Sequence, residues 1–184
     1  MSAAEYPRVF PKTLAGWRRW LEANHTKTRG VWLITYRRTA AKSQVPYAEA
    51  VEESLCYGWI DGQVQNVDEA RLAQLFTPRR SGSGWARSNK ERVRRLIAAG
   101  RMRPAGLEKI AAAKRDGSWT LLDSVESVTV PADLRAAMRK AVVSKRFAAL
   151  SKTAKRAHLY ALVTAKRPET RARRIDAVVR ALRS

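Results

Sequence analysis

The stretch FTPRRSGSGW, residues 76–85, holds side chains suited to gripping an anion. Arg79 and Arg80 each offer a planar fork to a phosphate or carboxylate. The serines and glycines that follow expose backbone N–H donors, and Trp85 can stack on a base or an arginine. Ser88 and Asn89 then open a helix, whose positive end also favours anions. The competing reading is a polar strand exit, with Trp85 merely plugging the core. A second basic cluster, AKRPETRARRI at 165–175, adds Arg167 and Arg174 to the anion-binding candidates. At about 100° per residue, Arg171 falls within about 40° of Ile175, on the apolar side of its helix. A charge there needs a partner or must snorkel outward. Asp61, flanked by Trp59, Ile60 and Gly62, is the expected partner, in an ion pair joining the two halves of the chain.

Other chemistries lack their residues. His25 and His158 have no Cys, Asp or Glu at ligand spacing, which argues against a metal site. Cys56 sits beside Leu55 on an expected helix and reads as a structural thiol without a histidine base in sequence reach. SGSG is not followed by the Gly-Lys-Ser/Thr of a phosphate loop. Glu52 and Glu53 are adjacent on a helix and do not make a carboxylate pair. The expectation is a protein without catalytic residues, metal or cofactor. The lone cysteine suits a reducing compartment, and no segment reads as a signal peptide or a membrane span, so a cytoplasmic location is expected.

Elements must position these residues. Thr13 caps a helix reaching about Asn24, with Leu14, Trp17 and Leu21 in one stripe. GVWLITYRR from Gly30 is a strand with Val31, Leu33 and Thr35 on one face and Trp32, Ile34 and Tyr36 on the other. After a polar link, TAAKSQ, Pro46 precedes a helix to about Tyr57 with Ala48, Val51 and Leu55 inward, stopped by Gly58. GQVQNV and RLAQLFT form a hairpin turned at Asp68-Glu69. From Trp85 onward only helices are expected: one capped by Ser88 and Glu91, one started by Pro104, one by Pro131 with Leu134, Met138 and Val142 inward. The run RFAALSKTAKRAHLYALVTA follows, broken near Ser151, and Pro168 starts the last helix. The fold class is α+β: a small antiparallel sheet of three to four strands with helices in residues 1–84, then an all-helical basic part in 85–184 packed on it as one compact unit.

Charge is uneven. Residues 1–70 hold 9 Lys/Arg and 8 Asp/Glu, whereas residues 71–184 hold 28 and 8. Such asymmetry points to a polyanionic partner (DNA, RNA or an anionic lipid surface), to a protein partner, or simply to an arginine-rich composition. A sequence-nonspecific nucleic-acid binder would use Arg92, Arg94, Arg95, Arg101, Arg103 and the last helix. Lipid attachment would use residues 135–147 or 168–184. A small acid held near Asp61, Trp85 and the arginines keeps an enzyme among the alternatives.

Three motifs in order, LCYGWIDGQ at 55–63, FTPRRSGSGW at 76–85 and AKRPETRARRI at 165–175, resemble the bacteriocin-protection, YdeI/OmpD-associated family. The matching positions are Trp59, Asp61, Gly62, Thr77, Pro78, Arg79, Arg80, Trp85 and Asn89, then Arg167 to Arg171 and Arg174. The resemblance implies a small bacterial protein with an α+β front and a helical back, tied to stress response and protection from antimicrobial peptides. It brings no catalytic mechanism. A chain of net charge +21 would not sequester cationic peptides by simple attraction, so protection would act indirectly. The expectation is a non-enzymatic protection protein with an anion-receptive groove formed by the motif residues.

Overall fold

A computed structural model describes residues 6–37 and 45–183, so the expected link TAAKSQ at 39–44 lies outside the described residues. The fold is α+β: one four-stranded sheet in the N-terminal half and, among the described residues, nine helices. The chain forms two compact units, Met1–Ser83 with Ser88–Gly117, and Gly84–Arg87 with Ser118–Ser184.

The first unit begins with strand β1 (Arg8–Val9), helix α1 (Leu14–Asn24), strand β2 (Val31–Tyr36), helix α2 (Tyr47–Cys56), and the hairpin β3 (Trp59–Asn66) and β4 (Arg71–Pro78). Thr13 caps α1 as its position predicts, its Oγ1 accepting from the Gly16 N–H at 3.1 Å. Trp17 and Leu21 on the α1 stripe are fully buried, and the Trp17 indole N–H donates to the Ala50 carbonyl of α2 at 3.2 Å. That bond satisfies the indole while fixing α1 against α2. Asp68 turns the hairpin, its Oδ1 accepting from the N–H groups of Ala70 and Arg71.

Strand order is β1-β2-β4-β3. The sheet is mixed rather than antiparallel, because β1 returns to β2 through the α1 crossover and lies parallel to it. Register pairs Val31, Leu33 and Thr35 with Phe76, Gln74 and Leu72. On the opposite face Trp32, Ala73 and Leu75 cluster with Tyr6, Ile34 and Val67. Both faces of β2 are therefore covered, as its two-sided apolar pattern requires. In α2 the buried residues include Ala50, Val51 and Leu55, whereas Ala48, expected inward, is exposed in the first turn beside a cavity.

Helices α3 (Arg87–Ala98) and α4 (Pro104–Arg115) belong to the same compact unit as the sheet, with α4 against α2, so the units do not divide at residue 84 as the basic run suggests. The reason is close backbone approach. A Cβ on Gly106 of α4 would stand 2.7 Å from the Leu55 carbonyl oxygen of α2. Only glycine lets α4 come so near. Gly58, at φ +74°, ends α2 as expected. Helix α3 starts one residue before the expected Ser88 cap.

The second unit contains α5 (Asp123–Glu126), α6 (Ala132–Lys140), α7 (Ser144–Ala149), α8 (Lys152–Val163) and α9 (Pro168–Arg183). Its core includes Leu134, Met138, Val143, Phe147, Leu159, Leu162, Val178 and Leu182. Ser151 breaks the long helical run and caps α8 through a bond from the Ala154 N–H. Val142, expected inward, is 88% exposed, because α6 ends before it and Val143 takes the core position. Among the described residues no helix is long and apolar enough to cross a membrane.

Candidate functional site

The two arginines after β4 do not form a two-pronged clamp. Arg79 is 4% exposed, and burial pushes its pKa down to about 10 while the Asp61 charge opposes the shift. Arg80 is exposed and borders a concavity of about 360 Å³ with Thr77, Gln63 and Ser83. The loop that follows does hold an anion, but an internal one: Ser81 Oγ and the Gly82 N–H both donate to Asp116 Oδ2, at 3.1 and 3.0 Å. Trp85 is no lid. It is 2% exposed, with its ring 5.0 Å from that of Trp119 in the second unit. Asn89 accepts from the Arg92 guanidinium at 3.0 Å.

The expected Asp61–Arg171 pair is replaced by two others, each within one unit. Tyr47 donates to Asp61 Oδ2 at 2.5 Å, and burial, reinforced by that bond, pushes the Tyr47 hydroxyl up to about 12. Arg171 instead reaches Asp133 of α6 with two nitrogens, at 2.6 and 3.0 Å. It also donates to the Leu162 carbonyl at 3.1 Å. Arg174 donates to the Ala161 carbonyl and to Thr164 Oγ1. These carbonyls end α8, where four C=O groups lack helical partners and the helix dipole is negative. AKRPETRARRI is thus a lock: α9 reaches back to cap the helix before it. Arg167 is exposed, so of the cluster's anion candidates Arg174 is engaged in the fold and Arg167 is left at the surface.

A different cationic cluster forms where α1, α2 and α4 meet. Glu53 lies on the buried side of α2 and is 2% exposed. Arg18 of α1 binds both its oxygens, at 2.8 and 2.5 Å, and Arg101 binds Oε1 at 2.5 Å. Burial pushes the Glu53 pKa up, but the hydrogen bonds from Arg18 and Arg101 outweigh it, and the carboxyl ends below its ordinary value. Glu52, one position along, pairs with Arg95 and Arg101. Beside Glu53 opens a cavity of about 310 Å³ lined by Arg18, Arg101, Arg103, Cys56 and Tyr57.

Three features of this cavity favour an anion. Arg103 stands at the N-cap of α4, the positive end of that helix, and its guanidinium has no carboxylate partner among the described residues. Tyr57 is 5% exposed, yet its hydroxyl has no hydrogen-bond partner among them. Arg18 and Arg101 are already held in place by Glu53. Set only against its neighbour Glu52, Glu53 does not mark this site in the sequence. The available signal was its place on the stripe of Ala50, Ser54 and Tyr57, where a charge demands partners. Cys56 is buried, and burial pushes its thiol up to about 11, as a structural cysteine requires. Among the described residues no three His, Cys, Asp or Glu side chains are grouped to share a metal ion.

Residues 9–109 match the family model described as Domain of unknown function (DUF8412). Residues 127–184 match the model described as Bacteriocin-protection, YdeI or OmpD-Associated. The second match contains the α8–α9 lock and lies inside the second unit; the motifs LCYGWIDGQ and FTPRRSGSGW fall in the first match. No curated protein and no solved structure matches the chain.

Proposed function

Because the chain belongs to the family described as Domain of unknown function (DUF8412) and carries a bacteriocin-protection, YdeI/OmpD-associated domain at 127–184, we propose that it is a non-enzymatic protection protein that works by binding a small anion. The anion site of this reading is the Arg18, Arg101 and Arg103 cavity of the sheet unit. The observation that carries it is the Tyr57 hydroxyl, buried without a partner beside three arginines. Leaving such a donor unsatisfied is costly, and an oxyanion would supply both the acceptor and the counter-charge. A binding role is also favoured over catalysis because the cavity's thiol is pushed away from neutrality upward and its carboxyl downward, so neither is poised for proton transfer at pH 7.

Calorimetric titration with inorganic phosphate tests the reading. Wild-type protein binds phosphate, and Arg103→Ala weakens binding about tenfold, the loss expected for one charge-assisted hydrogen bond, without lowering the melting temperature. Equal phosphate affinity in wild type and variant rules the site out.

The bacteriocin-protection description of the match at 127–184 supports this reading, and for a chain this basic the protection is proposed to be indirect. Of the arginines a nucleic-acid reading would use, Arg101 is held by the buried Glu53, whereas Arg95, paired with Glu52, stays exposed.

A further inference from the structure

Asp61 and Gly62 of LCYGWIDGQ line a second, larger cavity in the sheet unit, of about 660 Å³, off the first turn of α2. Its walls are apolar, built by Val45, Pro46, Val64 and Leu72. Tyr47 and Val64 on its rim are more than half exposed, as large side chains without apolar cover.

The polar groups within are all oriented one way. Tyr47 gives its only hydroxyl proton to Asp61 Oδ2, leaving the phenol oxygen as an acceptor. Gln74 gives its amide hydrogens to the carbonyls of Gly62 and Gln63, at 3.0 and 3.2 Å. Those carbonyls are free because β3 bulges between Asp61 and Val64 and drops out of the ladder there. That leaves the second Asp61 oxygen, the Tyr47 oxygen and the Gln74 side-chain carbonyl oxygen as acceptors on these lining residues. Thr35 and Tyr36, which also line the cavity, carry hydroxyls able to donate. Around Tyr47 and Gln74 the donors are spent and acceptors are left over.

We propose that this cavity binds a small molecule with an apolar body and a hydrogen-bond-donating nitrogen head, an amide or an amine, seated on Asp61 and Tyr47. An anionic head is disfavoured, since its oxygens would face the Asp61 carboxylate and the acceptors beside it. The volume lies within the usual range of small-molecule sites, and apolar walls with a few convergent polar groups are their usual build. This ligand is the chemical opposite of the anion assigned to the arginine cavity, so the two sites are separable by experiment.

Three probes of equal length test it: hexanamide, hexylamine and hexanoate, titrated into the full chain and followed by the backbone amide signals of Gly62 and Val64. The amide and the amine shift these signals saturably, and hexanoate binds at least about tenfold more weakly. Asp61→Asn, which replaces one acceptor oxygen by a donor, weakens hexanamide about tenfold, and Tyr47→Phe weakens it less. Unchanged melting temperatures in both variants exclude a folding cause. Hexanoate binding as tightly as hexanamide overturns the proposal, as does an Asp61→Asn protein with wild-type hexanamide affinity. Should Asp61→Asn fail to fold, the hexanamide-to-hexanoate ratio in wild-type protein decides alone.

Discussion

Glu53 shows how much one carboxylate can organise. It is buried, and Arg18 and Arg101 from two other segments converge on it. Glu53 is buried but Arg18 and Arg101 are 44% and 39% exposed and can rehydrate, so Glu53→Gln should cost about 1–3 kcal/mol in urea unfolding at pH 7. The pH dependence has a definite sign. The folded-state pKa of Glu53 lies below its ordinary value, so its stabilisation is full above that value and fades as pH falls through the folded one. Wild type and Glu53→Gln should therefore converge in stability only as pH falls through the folded-state value, itself below the ordinary one for a glutamate. Arg171 is the contrasting case. Its partner Asp133 is 44% exposed and Arg171 itself 31%, so water screens the pair. Arg171→Ala should cost only about 1–2 kcal/mol, for a screened ion pair and one capping hydrogen bond, and not the larger loss of a buried pair. That Arg171 needed a partner was legible from its angle to Ile175. Which partner was not, because Asp133 shares no sequence pattern with it and meets it only when α6 packs against α9.

Helix ends engage several of the arginines and lysines of the second unit. Arg146 donates to the carbonyls of Leu182 and Arg183 that close α9, and Arg156 to the Glu126 carbonyl that closes α5. Lys155 does the same for Ala148 near the end of α7, and Arg171 and Arg174 for α8. Cations at carbonyl-rich ends are favoured by the dipole and by unmet hydrogen bonding. The end of α6 uses backbone instead: Val142 N–H bonds to Arg139 and Val143 N–H to Met138, with Val142 at φ +59°. This is the position where glycine is normal, and a β-branched residue in the left-handed region is strained. Since the Val142 side chain is 88% exposed, it has almost no packing to lose. Val142→Gly should stabilise the chain by about 1 kcal/mol, read as a raised melting temperature. The apolar pattern alone placed Val142 in the core, because periodicity does not reveal where the helix stops.

Across the molecule, the net charge of +21 overstates the surface available to a polyanion, since so many cations are engaged with carboxylates and carbonyls of their own chain. Binding to an unrelated DNA duplex should accordingly be weak and lost between roughly 50 and 200 mM salt, the behaviour of loose phosphate contacts. Fluorescence anisotropy of a labelled duplex checks this; tight binding that persists at the higher salt would restore a nucleic-acid role. The cap at Thr13, the break at Ser151, the Asp68 turn and the two-sided pattern of β2 could all be read before any coordinates, because each depends on interactions a few residues apart. Sheet parallelism at β1, the grouping of α3 and α4 with the sheet, and the destination of every arginine could not. A guanidinium pairs with whichever carboxylate or carbonyl folding brings within about 3 Å, and that choice is made by helix packing between segments distant in the chain.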